Sequence, residues 1–367
     1  MKRLISTLTL ALIATNTALA GDLNPPVEPV GPTFKTLGEV EPRIAINATN
    51  TPGDADSMFR ITAPGSYYLT GNIQGVSGKS GIEIATNNVT IDLNGFVMLG
   101  SVGTLAGIAA PSRDGISVYN GAVRGWGTKG VDCFGGDDNS AQDLKLEFNG
   151  NIGLDIGLGA RVDRVVAQGN STGIRAASFS IITGSIAIAN GVGMSIGAHS
   201  IARDCHATEN SSDGFNDVAT GSTFENCVAM SNGGDGFDVS SHARIERCAA
   251  RFNGFHGILC GSESRIVGNM CELNGQSGAG AGAGIYGGAA VTRCHIEGNT
   301  ITSCDFGIKI DGTSNLIIGN RCSINTLNYE IVANNRIGAI TVMATSSASG
   351  NSGGSTGTAD TMSNLVY

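Results

Sequence analysis

Short apolar stretches alternate with polar residues along most of this chain, as in Val89-Thr-Ile-Asp-Leu93. Alternation of period two is the mark of a β-strand with one face buried. No stretch sustains a helical period. The strands recur in a unit that begins Gly-apolar-x-x: Gly81-Ile-Glu-Ile, Gly107-Ile-Ala-Ala, Gly130-Val-Asp-Cys, Gly153-Leu-Asp-Ile, Gly173-Ile-Arg-Ala and so on to Gly307-Ile-Lys-Ile. Eleven such units follow one another at steps of 20 to 27 residues. Self-similarity at that period predicts a solenoid, each coil holding three short strands and their turns. Leucine-rich consensus lines and a six-residue period are both absent.

Asparagine provides a second register mark. Asn170, Asn190, Asn210, Asn232, Asn253 and Asn274 lie 17 or 18 residues after the glycine of their coil. Asparagine tolerates the left-handed conformation of a tight bend, and stacked asparagines can hydrogen-bond along an axis. A further column holds Cys205, Cys227, Cys248, Asn269, Asn299 and Asn320. Sequons such as Asn170-Ser-Thr are therefore read as turns.

The flanking segments read differently. Met1-Lys2-Arg3, an apolar run and Ala18-Leu19-Ala20 form a secretory signal peptide, cleaved after Ala20, which predicts a secreted or periplasmic protein. Residues 21–60 form a Pro-rich tether and an N-terminal cap, residues 61–340 the solenoid, and 341–367 a Ser/Gly/Thr-rich tail whose last residues, Asn364 to Tyr367, are apolar enough to dock back. No membrane span is expected. Without its first 20 residues the chain carries 20 basic and 31 acidic residues. That balance, without basic clusters, argues against nucleic acid as a partner. A monomer is expected. Nine cysteines is an odd number, no Cys-x-x-Cys occurs, and two of the nine fall at inward strand positions. They are read as buried thiols.

Ile61-Thr-Ala-Pro-Gly-Ser-Tyr-Tyr-Leu69, then Gly81-Ile-Glu-Ile and Val89-Thr-Ile-Asp-Leu-Asn-Gly95, with Ile266-Val-Gly-Asn and Ile317-Ile-Gly-Asn later, resemble the right-handed parallel β-helix family. That is the architecture of pectate lyases and polygalacturonases. The resemblance spans roughly residues 58 to 340. It implies an all-β, single-stranded right-handed parallel β-helix of about 11 coils, and a substrate cleft over one sheet and its following loops. The catalytic set of polygalacturonases does not carry over. Asn-Thr-Asp and Arg-Ile-Lys are missing, and Asp137-Asp138 and Phe255-His256-Gly257 are short enough to arise by chance.

Candidate chemistry comes from alternation. The second residue after each repeat glycine should point outward, giving the column Glu83, Ala109, Asp132, Asp155, Arg175, Ser195, Asn216, Asp238, Leu259, Tyr286 and Lys309. Asp132, Asp155 and Arg175 fall on consecutive coils and are the candidate catalytic group. Asp137, Asp138, Asn216, Asp238, Tyr286 and Lys309 are candidate substrate contacts. None looks necessary for the core, so substitution there should leave the fold intact. The carboxylates make Ca²⁺ a candidate cofactor and polysaccharide the candidate partner. Gly233-Gly-Asp-Gly-Phe-Asp238 resembles a single Ca²⁺-binding nonapeptide, but reads more simply as a turn entering a repeat strand. Trp126 is read as a corner filler. The competing class is a structural or adhesin-type rod with no such site.

Overall fold

The computed structural model describes residues 42–280, 282–342 and 363–367. The signal peptide and most of the tether expected from the sequence lie outside the described residues. So does most of the tail. Every regular element among the described residues is a β-strand. One sheet stacks thirteen strands, from Ser57–Ile61 to Leu327–Ile331; the other holds twenty-six. A typical coil contributes Thr172–Ala176 to the first sheet and Ile181–Thr183 and Ile186–Ile188 to the second. Each strand pairs in parallel with its counterpart one coil on.

The solenoid is longer than the eleven coils marked by glycine. Ser57–Ile61 pairs with Ser80–Ile84, and Leu327–Ile331 with Phe306–Ile310, adding a strand at each end where no repeat glycine announces one. Residues 44–46 and 57–61, read from the sequence as cap, already pair in register with the next coil. At the other end Asn364–Val366 does dock back, pairing with Arg321–Ser323 and Ile340–Val342.

Alternation places the core as expected. Ile82, Ile84, Leu154, Ile156, Ile174, Met194 and Ile196 are all buried. Mid-solenoid, Phe215 and Phe237 stack with centroids 4.8 Å apart, and Phe224 meets both edge-on at 5.8 Å. Trp126 is buried, and its indole N–H donates to the Met98 carbonyl at 3.1 Å.

The asparagines form a hydrogen-bonded ladder. Asn190 Oδ1 accepts the backbone N–H of Asn170 at 2.9 Å and its side-chain amide at 3.1 Å, while Asn190 Nδ2 donates to the Ala167 carbonyl at 3.0 Å. The same pattern runs through Asn149, Asn170, Asn190, Asn210, Asn232, Asn253 and Asn274. The left-handed φ does not fall on these asparagines. It falls on the residue before each: Gly169, Ala189, Glu209, Ser231, Phe252 and Leu273. The asparagine is therefore there for its amide and not for its backbone tolerance. The repeat glycines serve the same ladder. A Cβ on Gly173 would lie 2.6 Å from the Gly193 carbonyl oxygen and 2.8 Å from Asn190 Nδ2, so only glycine leaves the amide room.

The cysteine column is a second ladder with mixed rungs. Cys227 Sγ lies 3.4 Å from the Ala202 carbonyl, the Cys227 N–H points at Cys248 Sγ at 3.4 Å, and the Cys248 N–H donates to Asn269 Oδ1 at 2.8 Å. Asn299, Asn320 and finally Asn364 continue it. All nine cysteines are free and buried.

Two outcomes follow. Asn210→Ala leaves the buried Asn190 N–H and Ala187 carbonyl without partners, and should cost roughly 2–5 kcal/mol in urea unfolding, whereas Cys227→Ser keeps a donor and an acceptor and should cost under about 1.5 kcal/mol. Ile196→Ala should likewise cost roughly 2–5 kcal/mol and Ile310→Ala less, since only one strand of its sheet stacks beyond it.

Candidate functional site

The outward column holds its register without a break. Asp132 pairs with Asp155, Asp155 with Arg175, Ser195 with Asn216, Asn216 with Asp238, and Tyr286 with Lys309. A second column borders it, made of the residue just before each repeat glycine. It includes Lys129, Asp213, Asp235 and His256. Side chains of this column reach the outward residue of their own coil or the next, so the face carries two interlocking rows.

The first group of candidates proves to be a closed ion-pair network. Arg175 donates to both Asp155 oxygens, Nε at 2.7 Å and Nη2 at 2.5 Å. Lys129 Nζ stands 2.6 Å from Asp155 Oδ2 and 2.9 Å from Asp132 Oδ1. Phe134 lies over both cations, its ring centre 4.8 Å from the Arg175 guanidinium carbon and 5.9 Å from Lys129 Nζ. The Asp155 side chain has 0% exposure. Lys129 already provides the cation these carboxylates need, so the donor set does not suit Ca²⁺. The expectation that none of these residues supports the fold is corrected: a buried, triply contacted carboxylate is structural. Asp137 and Asp138 are exposed, and neither makes a hydrogen bond or ion pair to the network. Asp54, Asp56 and Glu83 are carboxylates close enough to share an ion, with oxygens within 4.8 Å of one another, but Arg60 stands 3.4 Å from Asp54 and 3.2 Å from Glu83.

Further along the same face lies a group of different character. Asp213 Oδ1 accepts the Asp235 N–H at 2.8 Å, Asp235 Oδ1 the His256 N–H at 2.7 Å, and His256 Nδ1 the Ala283 N–H at 3.0 Å. This chain of acceptors fixes the imidazole tautomer: with Nδ1 accepting, the proton sits on Nε2. The His256 ring packs on Tyr286 at 4.5 Å, and the Tyr286 hydroxyl donates to Asp311 Oδ2 at 2.9 Å. Asn216 Nδ2 approaches Asp213 Oδ2 at 3.5 Å. Lys309 lies 2.9 Å from Glu330 and covers the Phe306 ring.

Among the described residues, three carboxylates here, Asp213, Asp235 and Asp238, have no ion-pair partner. Burial raises the Asp235 carboxyl to about 7, helped by the charges of Asp213 and Asp238. Burial also raises Asp238, with Asp213 adding to it. Burial lowers His256 to about 4, so its ring is neutral at ordinary pH. The hydrogen bond to Asp311 raises Tyr286. Of the sequence candidates, the structure brings together Asn216, Asp238, Tyr286 and Lys309. Asp213 and Asp311 escaped the reading, His256 was set aside within a chance match, and Asp235 was read within Gly233-Gly-Asp-Gly as part of a turn. The missed signal was the position before the repeat glycine, where Asp213, Asp235 and His256 occur in three successive coils.

Residues 158–292 match a family model described as a right handed beta helix region. The fold is thus a right-handed parallel β-helix. Among solved structures, the mannuronan C-5 epimerase AlgE4 A-module of Azotobacter vinelandii superposes with a TM-score of 0.57 at 16% identity, covering 81% of this chain and 88% of that one. The Streptococcus pneumoniae surface adhesin PfbA (11% identity, 72% and 82% covered, TM-score 0.43) and a mannuronic acid specific polysaccharide family 6 lyase from human gut microbiota (9%, 77% and 81%, 0.42) are also similar. At these identities the likeness is one of fold. No curated protein matches the sequence. Among the described residues no helix is long and apolar enough to cross a membrane.

Arg175→Ala should destabilise the protein by roughly 1–3 kcal/mol in chemical unfolding, because Asp155 loses two charge-assisted hydrogen bonds while Lys129 stays beside it. A variant as stable as the parent would show that the network is dispensable.

Proposed function

We propose that this protein is exported and binds and processes a polysaccharide, acidic glycans included, on the outward face between Asp213 and Lys309. The observation that carries the reading is the contrast along that face. The carboxylates near Arg175 are neutralised by cations, whereas Asp213, Asp235 and Asp238 have none among the described residues and stand beside a neutral imidazole, a phenol and Asp311. Groups held in unlike protonation states on one face are what acid–base chemistry on a sugar chain needs. In this reading Asp235 or Asp238 is the proton donor, His256 Nε2–H a hydrogen-bond donor to the sugar, and Tyr286 a contact for the sugar ring. Fold likeness to an epimerase module is compatible with that assignment, and equally with hydrolysis or elimination.

A glycan array run with and without Ca²⁺, followed by product analysis on any glycan retained, tests the reading. Replacing the donor, by Asp235→Asn or Asp238→Asn, should abolish processing with little change in melting temperature. A proton donor titrating near 7 is protonated below that pH, so processing should decline as the pH rises above about 7. Absence of binding to every acidic and neutral glycan would leave a rod without a sugar site.

A further inference from the structure

The third residue after each repeat glycine points into the core. That column reads Ile84, Ala110, Cys133, Ile156, Ala176, Ile196, Asp217, Val239, Cys260, Gly287 and Ile310. A single acid interrupts it. Asp217 is in register with Ile196, is 4% exposed, and lies next in sequence to Asn216 of the outward face.

Its hydrogen bonds specify its protonation state. Ser222 Oγ lies 2.9 Å from Asp217 Oδ1 and 3.1 Å from the Gly197 carbonyl oxygen. A serine hydroxyl has one proton to give. If Asp217 is ionised, both neighbours of that hydroxyl are acceptors, and one of them is left without a donor. If Asp217 carries a proton, the carboxylic acid donates to Ser222, Ser222 donates to Gly197, and all three are satisfied. Asp217 Oδ2 is buried without a hydrogen-bond partner among the described residues, a far smaller penalty for a neutral acid than for a carboxylate.

We propose that Asp217 is an internal proton sensor: it is packed as the neutral acid, and its ionisation loosens the coils that carry Asn216 and Asp238. The charged group acting on it is Asp238, on the strand of the following coil. The preceding strand brings Ile196 in register and the following bend brings Ser222, neither of which titrates. Burial moves the Asp217 carboxyl from 3.8 up to about 6, outweighing the Ser222 hydroxyl and the Ala219 and Ser240 N–H groups, which pull it down. The folded value lies above the unfolded one, so the stability due to the bound proton is complete below about 4 and is lost as the pH rises through about 6.

The test is melting temperature against pH from 3.5 to 8 for the parent, Asp217→Asn and Asp217→Val. Asparagine keeps the shape without the titration, and valine repeats the residue of the next coil. Relative to either variant, the parent should lose melting temperature between pH 4 and 7 and be flat beyond. Amide exchange of residues 196–240 in the parent, corrected for its intrinsic pH dependence, should accelerate over the same window. Parallel curves for the parent and both variants would overturn the proposal, as would a parent that gains stability over that range relative to them. None of these measurements involves a glycan, so the outcome is independent of the function proposed above.

Discussion

Everything in this fold depends on satisfying the buried amides at its bends. A parallel β-helix turns three times per coil, and each turn takes backbone N–H and C=O groups away from strand pairing and from water. The asparagine ladder meets that constraint by having each coil's side chain bind the backbone of the coil before it and donate to the asparagine of the coil after it. Glycine at the start of the unit is the other half of the device, since a side chain there would collide with the asparagine amide. The strained left-handed residue next to each asparagine is held in place by the same bonds.

The rigidity that results is what allows a functional face. Outward side chains are fixed in register to within a hydrogen bond over many coils, so groups distant in sequence meet at defined separations. One stretch of that face uses the regularity to cancel charge, with Lys129 and Arg175 closing around Asp155. Another leaves Asp213, Asp235 and Asp238 without a basic partner among the described residues. The difference between the two stretches cannot be read from the types of residue in the outward column, because both contain aspartates. It depends on what the neighbouring column contributes: Lys129 in the first, Asp and His in the second.

This explains how far the sequence could be read. The architecture was legible because glycine, asparagine and alternating apolar residues recur in step, and a repeat reports the same fact many times. The two terminal coils were not legible, since Ser57–Ile61 and Leu327–Ile331 carry Met58 and Asn328 where the other coils carry the repeat glycine. The site was half legible. Asn216, Asp238, Tyr286 and Lys309 follow from alternation alone. Asp235 and His256 do not, because alternation is interrupted at the bend that precedes the glycine. Asp155 was misjudged for another reason: a side chain that leaves the core can still be buried by its neighbours.

The mixed ladder has a consequence for how such a chain can change. Serine, cysteine and asparagine are interchangeable as rungs because each offers a donor and an acceptor, and every coil completes the one before it while preparing the next. A stretch of twenty-odd residues can therefore be duplicated or excised in a single genetic event, and the coils on either side of the join would find the same chemistry waiting. Length is then a trait that can drift in whole steps, free of the need to redesign an interface at each one.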